Sequence, residues 1–299
     1  MAPGGAVSVI SSLATAVGTG TLLEEVPSIS AEMAEALYAR GQRFCPLTED
    51  QFSLVELSVR ETLASVRVDT VDHVLVATET MTSTESRAGH EQLRGRLHRL
   101  LSDLGLGHAS LTAMTFGGCA AVMSALEYAS LLVEAQRADS VLVVAVGALR
   151  DDDSRVLAPS ISAIGDGVAS CIVSVGGAGW RLDWMRRQAF LGISEFDAAE
   201  DFGPSLVALG RALKTLRPSA AAGAQPQVLV CNNYGLPTLR LFASTLGVEE
   251  VFTSNVGRLS HLGTPDILVN LADLGAHVTE VLALATGPAD CVLARMERT

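Results

Sequence analysis

An α/β fold on a mostly parallel sheet is what this sequence predicts, and three features carry the prediction. Short runs rich in Val, Ile, Leu and Ala alternate with segments whose apolar residues recur at helical spacing along most of the chain. The strand-like runs are apolar on both faces, as strands covered by helices on either side must be. Hydrophobic residues fill 48% of the 299 positions and charged ones 18%, enough for a large core and too apolar for disorder.

The elements follow in order. Val7–Leu13, Val74–Ala77, Val141–Val146 and Ala169–Val175 read as strands from their β-branched content. Ser30–Arg40 and Asp50–Val66 carry the helical period, with Ser30 and Asp50 placed as N-caps. Arg87–Leu101 reads as a polar, arginine-rich helix. Ala120–Ala135 is an apolar one made of small and medium residues, the composition of a helix buried on all sides. The second half repeats the alternation through Trp180–Trp184, Leu206–Leu216, Val228–Cys231, Leu236–Leu246, Val251–Phe252, Asp266–Leu274, Val278–Ala285 and Cys291–Met296. Pro218–Pro226, rich in Ala and Gly, reads as a surface connection. Val141–Gly147 echoes Val281–Gly287, and Ala169–Val173 echoes Ala289–Leu293, as if both halves ended in one strand–turn–strand unit.

Composition excludes several classes. A net charge of −12 does not suit a chain that must embrace a nucleic-acid backbone. Five dispersed cysteines without a CxxC pair make neither a disulfide framework nor a zinc site, and fit a reducing compartment. The uncharged stretch Met1–Leu23 lacks the basic start of a secretory signal. No run of about 18 apolar residues exists, so a cytoplasmic chain without a membrane span is expected. Gly18-Thr19-Gly20 lacks the third glycine and the acidic partner of a dinucleotide fingerprint.

In open α/β sheets ligands gather beyond the carboxyl ends of the strands, so reactive residues just after strands are the candidates. Three segments qualify. Leu111–Thr115 runs into Phe116-Gly117-Gly118-Cys119; Val228–Val230 ends in Cys231-Asn232-Asn233-Tyr234-Gly235; Val251 leads to Ser260-His261-Leu262-Gly263. Cys119 follows two glycines and opens a helix, whose N–H groups and dipole favour a thiolate and suit the oxyanion of a thioester under attack. A small buried cysteine packing a helix start fits the same position. His261 is either a base for that thiol or a solvated loop histidine, and Asn232 either an amide donor or a turn residue. Only together do Cys119, His261 and Asn232 supply nucleophilic acyl transfer. Glu79, just after the strand Val74–Ala77, is a further pocket base or an ordinary solvated carboxylate. Cys45, Cys171, Cys231 and Cys291 read as core or loop residues.

Four segments carry a family resemblance. Asp72–Thr80 resembles a "D-x-x-I-V-A-T-x-T" strand, Thr115–Leu126 a nucleophile elbow, Ser140–Gly147 with Ile164–Ala169 a strand and "F-G-D-G-A-G" turn, and Asn255–Leu271 a last active-site loop. In this order, from about Val71 to Arg295, they are similar to the ketosynthase III (beta-ketoacyl-acyl carrier protein synthase III) branch of the thiolase-like condensing enzymes. The resemblance implies a five-layered αβαβα fold of two similar halves, with 1–176 carrying the nucleophile and 177–299 the other active-site loops. It also implies a homodimer and a ping-pong route through acyl-S-Cys119, with no cofactor beyond the acyl donor on coenzyme A or a phosphopantetheinyl carrier protein.

The chain departs from the family pattern. Asn232 stands where the family has histidine and His261 where it has asparagine, so the catalytic set Cys119, Asn232, His261 keeps its members with two posts exchanged. Leu157-Ala158-Pro159 replaces an arginine that helps hold coenzyme A, which favours a carrier-protein donor. Arg87, Arg94, Arg96 and Arg99, or Arg181, Arg186 and Arg187, are its candidate docking patches. The implied function is an acyltransferase of secondary metabolism, by C–C condensation or by ester or amide formation on a small-molecule acceptor. A non-catalytic partner subunit of a heteromeric ketosynthase III-like complex is the alternative.

Overall fold

The structure, a computed structural model, describes residues 7–79, 87–149, 154–157, 161–189, 202–217, 228–288 and 290–299. The Pro218–Pro226 connection, Thr80, Ala158, Pro159 and Ala289 lie outside these residues.

The first half runs β1 (Ser8–Val17), β2 (Thr19–Leu22), α1 (Ala31–Tyr38), β3 (Phe44–Leu47), α2 (Gln51–Leu63), β4 (Val71–Thr78), α3 (Arg87–Asp103), β5 (Ser110–Met114), α4 (Ala121–Glu134), β6 (Ser140–Gly147), β7 (Val156–Leu157), β8 (Ser162–Ala163) and β9 (Gly167–Val175). The second half runs β10 (Trp180–Ala189), α5 (Phe202–Leu216), β11 (Val228–Cys231), α6 (Leu236–Leu246), β12 (Glu250–Val251), α7 (Val256–Leu259), α8 (Asp266–Asp273), β13 (Glu280–Thr286) and β14 (Asp290–Arg298). Ser30 caps α1 through Met33 N–H and Asp50 caps α2 through Phe52 N–H, as their positions predict.

Ten strands form one sheet in the order β12-β11-β13-β14-β10-β1-β9-β6-β4-β5. Five strands of each half follow the same path. β4 lies parallel between β5 and β6, then β9 and β1 follow antiparallel; β11 lies parallel between β12 and β13, then β14 and β10 follow antiparallel. The sequence echo therefore pairs equivalent strands, β6 with β13 and β9 with β14. The halves join where Val9 and Ile10 pair with Arg181 and Trp180.

The expectation of a mostly parallel sheet is corrected, because antiparallel neighbours outnumber parallel ones. The reason is local. After the helix-crossed parallel strands, each half closes with a return strand, and at β13–β14 the connection is only Gly287–Ala289, too short for a crossover helix.

Alternation along the strands builds the layers. Val141, Val143 and Ala145 of β6 face one way, into a core shared with α4 and α8; Leu142, Val144 and Val146 face the other, onto α2 and α3. In β13, Val281, Ala283 and Ala285 join the same central core, while Leu282 and Leu284 pack beneath α5 and α6. The result is helix, sheet, helix, sheet, helix. α4 is central yet not covered all round, since Tyr128 and Leu131 are exposed. The glycines of Gly18-Thr19-Gly20 serve packing: a Cβ on Gly18 would stand 2.4 Å from the Leu47 carbonyl oxygen.

Candidate active site

The carboxyl ends of β4, β5, β11 and β13 bring the candidate residues together. From β5 the chain passes Phe116 and enters a tight turn at Gly118–Ala120 before α4 begins at Ala121, so Cys119 sits in the turn ahead of the helix. Gly118 has φ +54°, and a Cβ there would lie 2.4 Å from Cδ of Pro288. Only glycine fits both the conformation and the space. The turn thus packs against the β13–β14 connection and fixes the sulfur relative to the second half.

His261 comes from that half. Its N–H donates to the Ala163 carbonyl at 3.0 Å and its own carbonyl accepts from Gly165 N–H at 2.9 Å, a strand-like clamp. Ser260 before it has φ +52°, rare for a residue with a side chain, and its hydroxyl donates to the Phe44 carbonyl at 2.7 Å. The loop crosses the end of β6, where a Cβ on Gly147 would overlap the Leu262 carbonyl oxygen.

The geometry forms a line of three groups. Nε2 of His261 is 3.2 Å from Sγ of Cys119, and Nδ1 is 2.5 Å from Oδ2 of Asp266. Asp266, at the first position of α8, also accepts from Leu262 N–H at 2.9 Å, Asn233 N–H at 2.9 Å and the Asn233 amide at 3.0 Å. A carboxylate held by donors on all sides makes Nδ1 the protonated ring nitrogen, leaving Nε2 to accept the thiol proton. The Tyr234 ring lies 4.8 Å from the imidazole, centroid to centroid. His261 is buried, not a solvated loop residue.

The electrostatics oppose one expectation. Burial pushes the Cys119 thiol up, His261 offsets this in part, and the Glu79 and Asp266 carboxylates add to it. Burial thus works against the thiolate that a helix start alone would favour. Burial by itself would lower the His261 imidazole, but the charges of Cys119 and Asp266, and hydrogen bonds to both, hold it well above the ordinary 6.5. A raised imidazole beside a half-buried thiol is a base placed to take its proton.

Asn232 is close by with a different task. Its carboxamide oxygen accepts from Thr286 N–H at 2.9 Å and its amide donates to the Gly263 carbonyl at 3.5 Å. A Cβ on Gly263 would lie 4.0 Å from the sulfur, so Asn232 braces the backbone beside Cys119. The expected third partner of the sulfur–imidazole pair is replaced in this geometry by Asp266, which sequence reasoning missed. Its one signal was an acid five residues after His261, at a helix start where acids are common anyway.

The other candidates resolve simply. The Cys119 thiol also donates to Oε2 of Glu79 at 3.6 Å, so Glu79 adjoins the sulfur. Cys45, Cys171, Cys231 and Cys291 are buried, and burial pushes their thiols up, Cys45 to about 12. Of the arginine patches, Arg96 pairs with Asp50 at 3.1 Å, Arg187 with Asp290 at 2.7 Å, and Arg181 with Glu297, so acids offset one arginine of the first patch and two of the second.

Two similar halves, sandwiched helices and a cysteine before a central helix make a thiolase-like fold. Solved structures agree. ChlB3, an acyltransferase, is similar over 98% of both chains at 18% identity and a TM-score of 0.80. The 3-oxoacyl-(acyl carrier protein) synthase III of Pseudomonas aeruginosa is similar over 97% of this chain and 98% of its own, at 17% identity and a TM-score of 0.75. OleA of Xanthomonas campestris is similar over 97% and 98%, at 14% identity and a TM-score of 0.70. No protein-family model matches the chain, and no curated protein matches it by sequence.

Proposed function

We propose that the chain is a cysteine-dependent acyltransferase of the ketosynthase III-like class. It takes an acyl group from a coenzyme A or carrier-protein thioester onto Cys119 and passes it to a hydroxyl or amine of a small molecule, in secondary metabolism. The observation that carries this reading is the line from Sγ through the imidazole to the Asp266 carboxylate.

In the first half-reaction His261 takes the thiol proton, the sulfur attacks the thioester carbonyl, and the departing pantetheine thiolate receives the proton from Nε2. In the second half the acceptor gives its proton to the same nitrogen, attacks the acyl carbon and releases Sγ. Asp266 holds the imidazole in one tautomer and stabilises its cation in both halves. The Cys119 N–H, in the turn ahead of α4, is the oxyanion donor. Asn232 is a positioning residue here.

Ester or amide formation is favoured over C–C condensation. Decarboxylative condensation is served by two neutral donors on the malonyl thioester oxygen, whereas a carboxylate-backed histidine is built to accept protons. Among the similar structures, ChlB3 is named an acyltransferase and an OleA variant holds lauric acid and lauroyl-coenzyme A, which supports acyl-thioester chemistry. A non-catalytic subunit would have no need of an aligned relay.

The chain pairs with itself in this reading. Among the described residues β5 ends the sheet with no strand on its outer edge, and Phe116 just beyond it is 99% exposed. An open edge beside a bare aromatic is a surface that a second copy covers.

The test charges the protein with an acyl thioester and then offers amines and alcohols, or a malonyl thioester. Acylated amine or alcohol without carbon dioxide release is expected. Carbon dioxide release would overturn the heteroatom reading, and no transfer to any acceptor would overturn acyl transfer itself.

A further inference from the structure

We propose that Glu79 selects the acyl acceptor, its carboxylate favouring neutral or cationic protic groups and repelling acceptors that carry a negative charge. This rests on the acyl-transfer reading and adds the acceptor class to it: amines and alcohols without a carboxylate near the reacting atom.

Glu79 directly follows β4 and is exposed, while its Oε2 stands 3.6 Å from Sγ of Cys119. Its Oε1 lies 3.4 Å from where a Cβ on Gly118 would be, so the glycine keeps room for the carboxylate next to the turn. The sulfur thus has two acceptors for one proton, Nε2 of His261 at 3.2 Å and Glu79. Acylation removes that proton, and the next donor that arrives meets the imidazole with the Glu79 carboxylate beside it. His261 takes the proton of the attacking O–H or N–H; the C–O or C–N bond forms, the C–S bond breaks, and the proton passes from Nε2 to Sγ. Glu79 is unchanged in this step. It receives a hydrogen bond from a second N–H, or from a cationic group of the acceptor, and so orients the attack.

The same charge works against a malonyl thioester, whose free carboxylate would enter beside it. Like charges a few ångströms apart in a partly desolvated site are worth about tenfold or more in rate. Glu79 also adds to the forces that keep Cys119 protonated, which supplies a second readout.

The test needs no acyl donor. Cys119 is alkylated with neutral iodoacetamide and with anionic iodoacetate, site-resolved by peptide mass spectrometry, in the wild type, Glu79→Gln, Glu79→Ala and the charge-keeping Glu79→Asp, each referred to a small free thiol. The expected result is that the amide-to-acetate rate ratio falls about tenfold in Gln and Ala and is kept in Asp. The pH midpoint of the iodoacetamide reaction moves down in the two neutral variants. An unchanged ratio in both neutral variants overturns the proposal. If thioesters leave no adduct on Cys119, acyl transfer fails as a reading while the alkylation ratios still decide the role of Glu79.

Discussion

Nδ1 of His261 and Oδ2 of Asp266 stand 2.5 Å apart in a buried pocket, and this contact sets the direction of the imidazole. Asp266→Asn would keep the shape and offer an amide where a carboxylate was, releasing the ring to the wrong tautomer. Transfer of the acyl group to Cys119 is expected to slow by about 10²-fold or more, with the fold retained. Single-turnover mass measurements with a circular-dichroism melt check this. Asp266→Ala, which also abandons the Asn233 and Leu262 donors, is expected to cost about 3–5 kcal/mol of stability.

The pH profile follows from the raised imidazole. With thiol and imidazolium both protonated the pair is idle, and it becomes active on losing one proton. Because Asp266 and Cys119 hold His261 well above 6.5, the acid limb of the acylation rate is expected above the ordinary histidine range. Asp266→Asn moves that limb toward lower pH. Rates between pH 5 and 9 test both statements, and a limb at or below 6.5 in the wild type contradicts them.

Stability has its own pH dependence, with the sign fixed by proton counting. A group whose folded pKa is raised binds more protons in the native state, so stability is full below its unfolded value and is lost as pH rises toward the folded one. For His261 the loss begins above 6.5, and for the four buried thiols above 9.0. Urea unfolding is expected to show stability falling beyond pH 9 by about 1 kcal/mol per pH unit for each thiol. Cys171→Ala should shallow that slope.

Gly118 tests the turn. Alanine there meets both the positive φ and the ring of Pro288. A loss of about 1–3 kcal/mol and a nucleophile displaced from His261 are expected, visible as slower Cys119 alkylation along with a lower melting point.

The proposed homodimer rests on β5 and Phe116. Phe116→Glu is expected to weaken self-association by about tenfold or more in sedimentation, with the monomer still folded. A wild type that is monomeric at micromolar concentration contradicts the pairing.

Much of this architecture was legible before any coordinates, for physical reasons. The β6/β13 and β9/β14 echoes could be read because both faces of those strands are buried, so their sequences are confined to small and medium apolar residues. Strand direction could not, because a return strand and a crossover strand have the same composition. Cys119 and His261 stood out as reactive residues in glycine-bearing turns after strands. Asp266 did not, since an acid opening a helix looks alike whether it faces solvent or an imidazole. Asn232 was assigned to the sulfur from its place in a motif, and its hydrogen bonds lead instead to Thr286 and Gly263. The upward push on the thiol was not legible, because helix polarity is local and visible in sequence, whereas burial and two carboxylates from distant segments are not.

The most direct test of the central claim is time-resolved intact-mass and peptide-mass spectrometry of the protein mixed with an acyl thioester. The account predicts one acyl adduct, located on Cys119, formed quickly in the wild type, slowly in His261→Ala and never in Cys119→Ala. An adduct that survives in Cys119→Ala, or forms as fast without the imidazole, would contradict it.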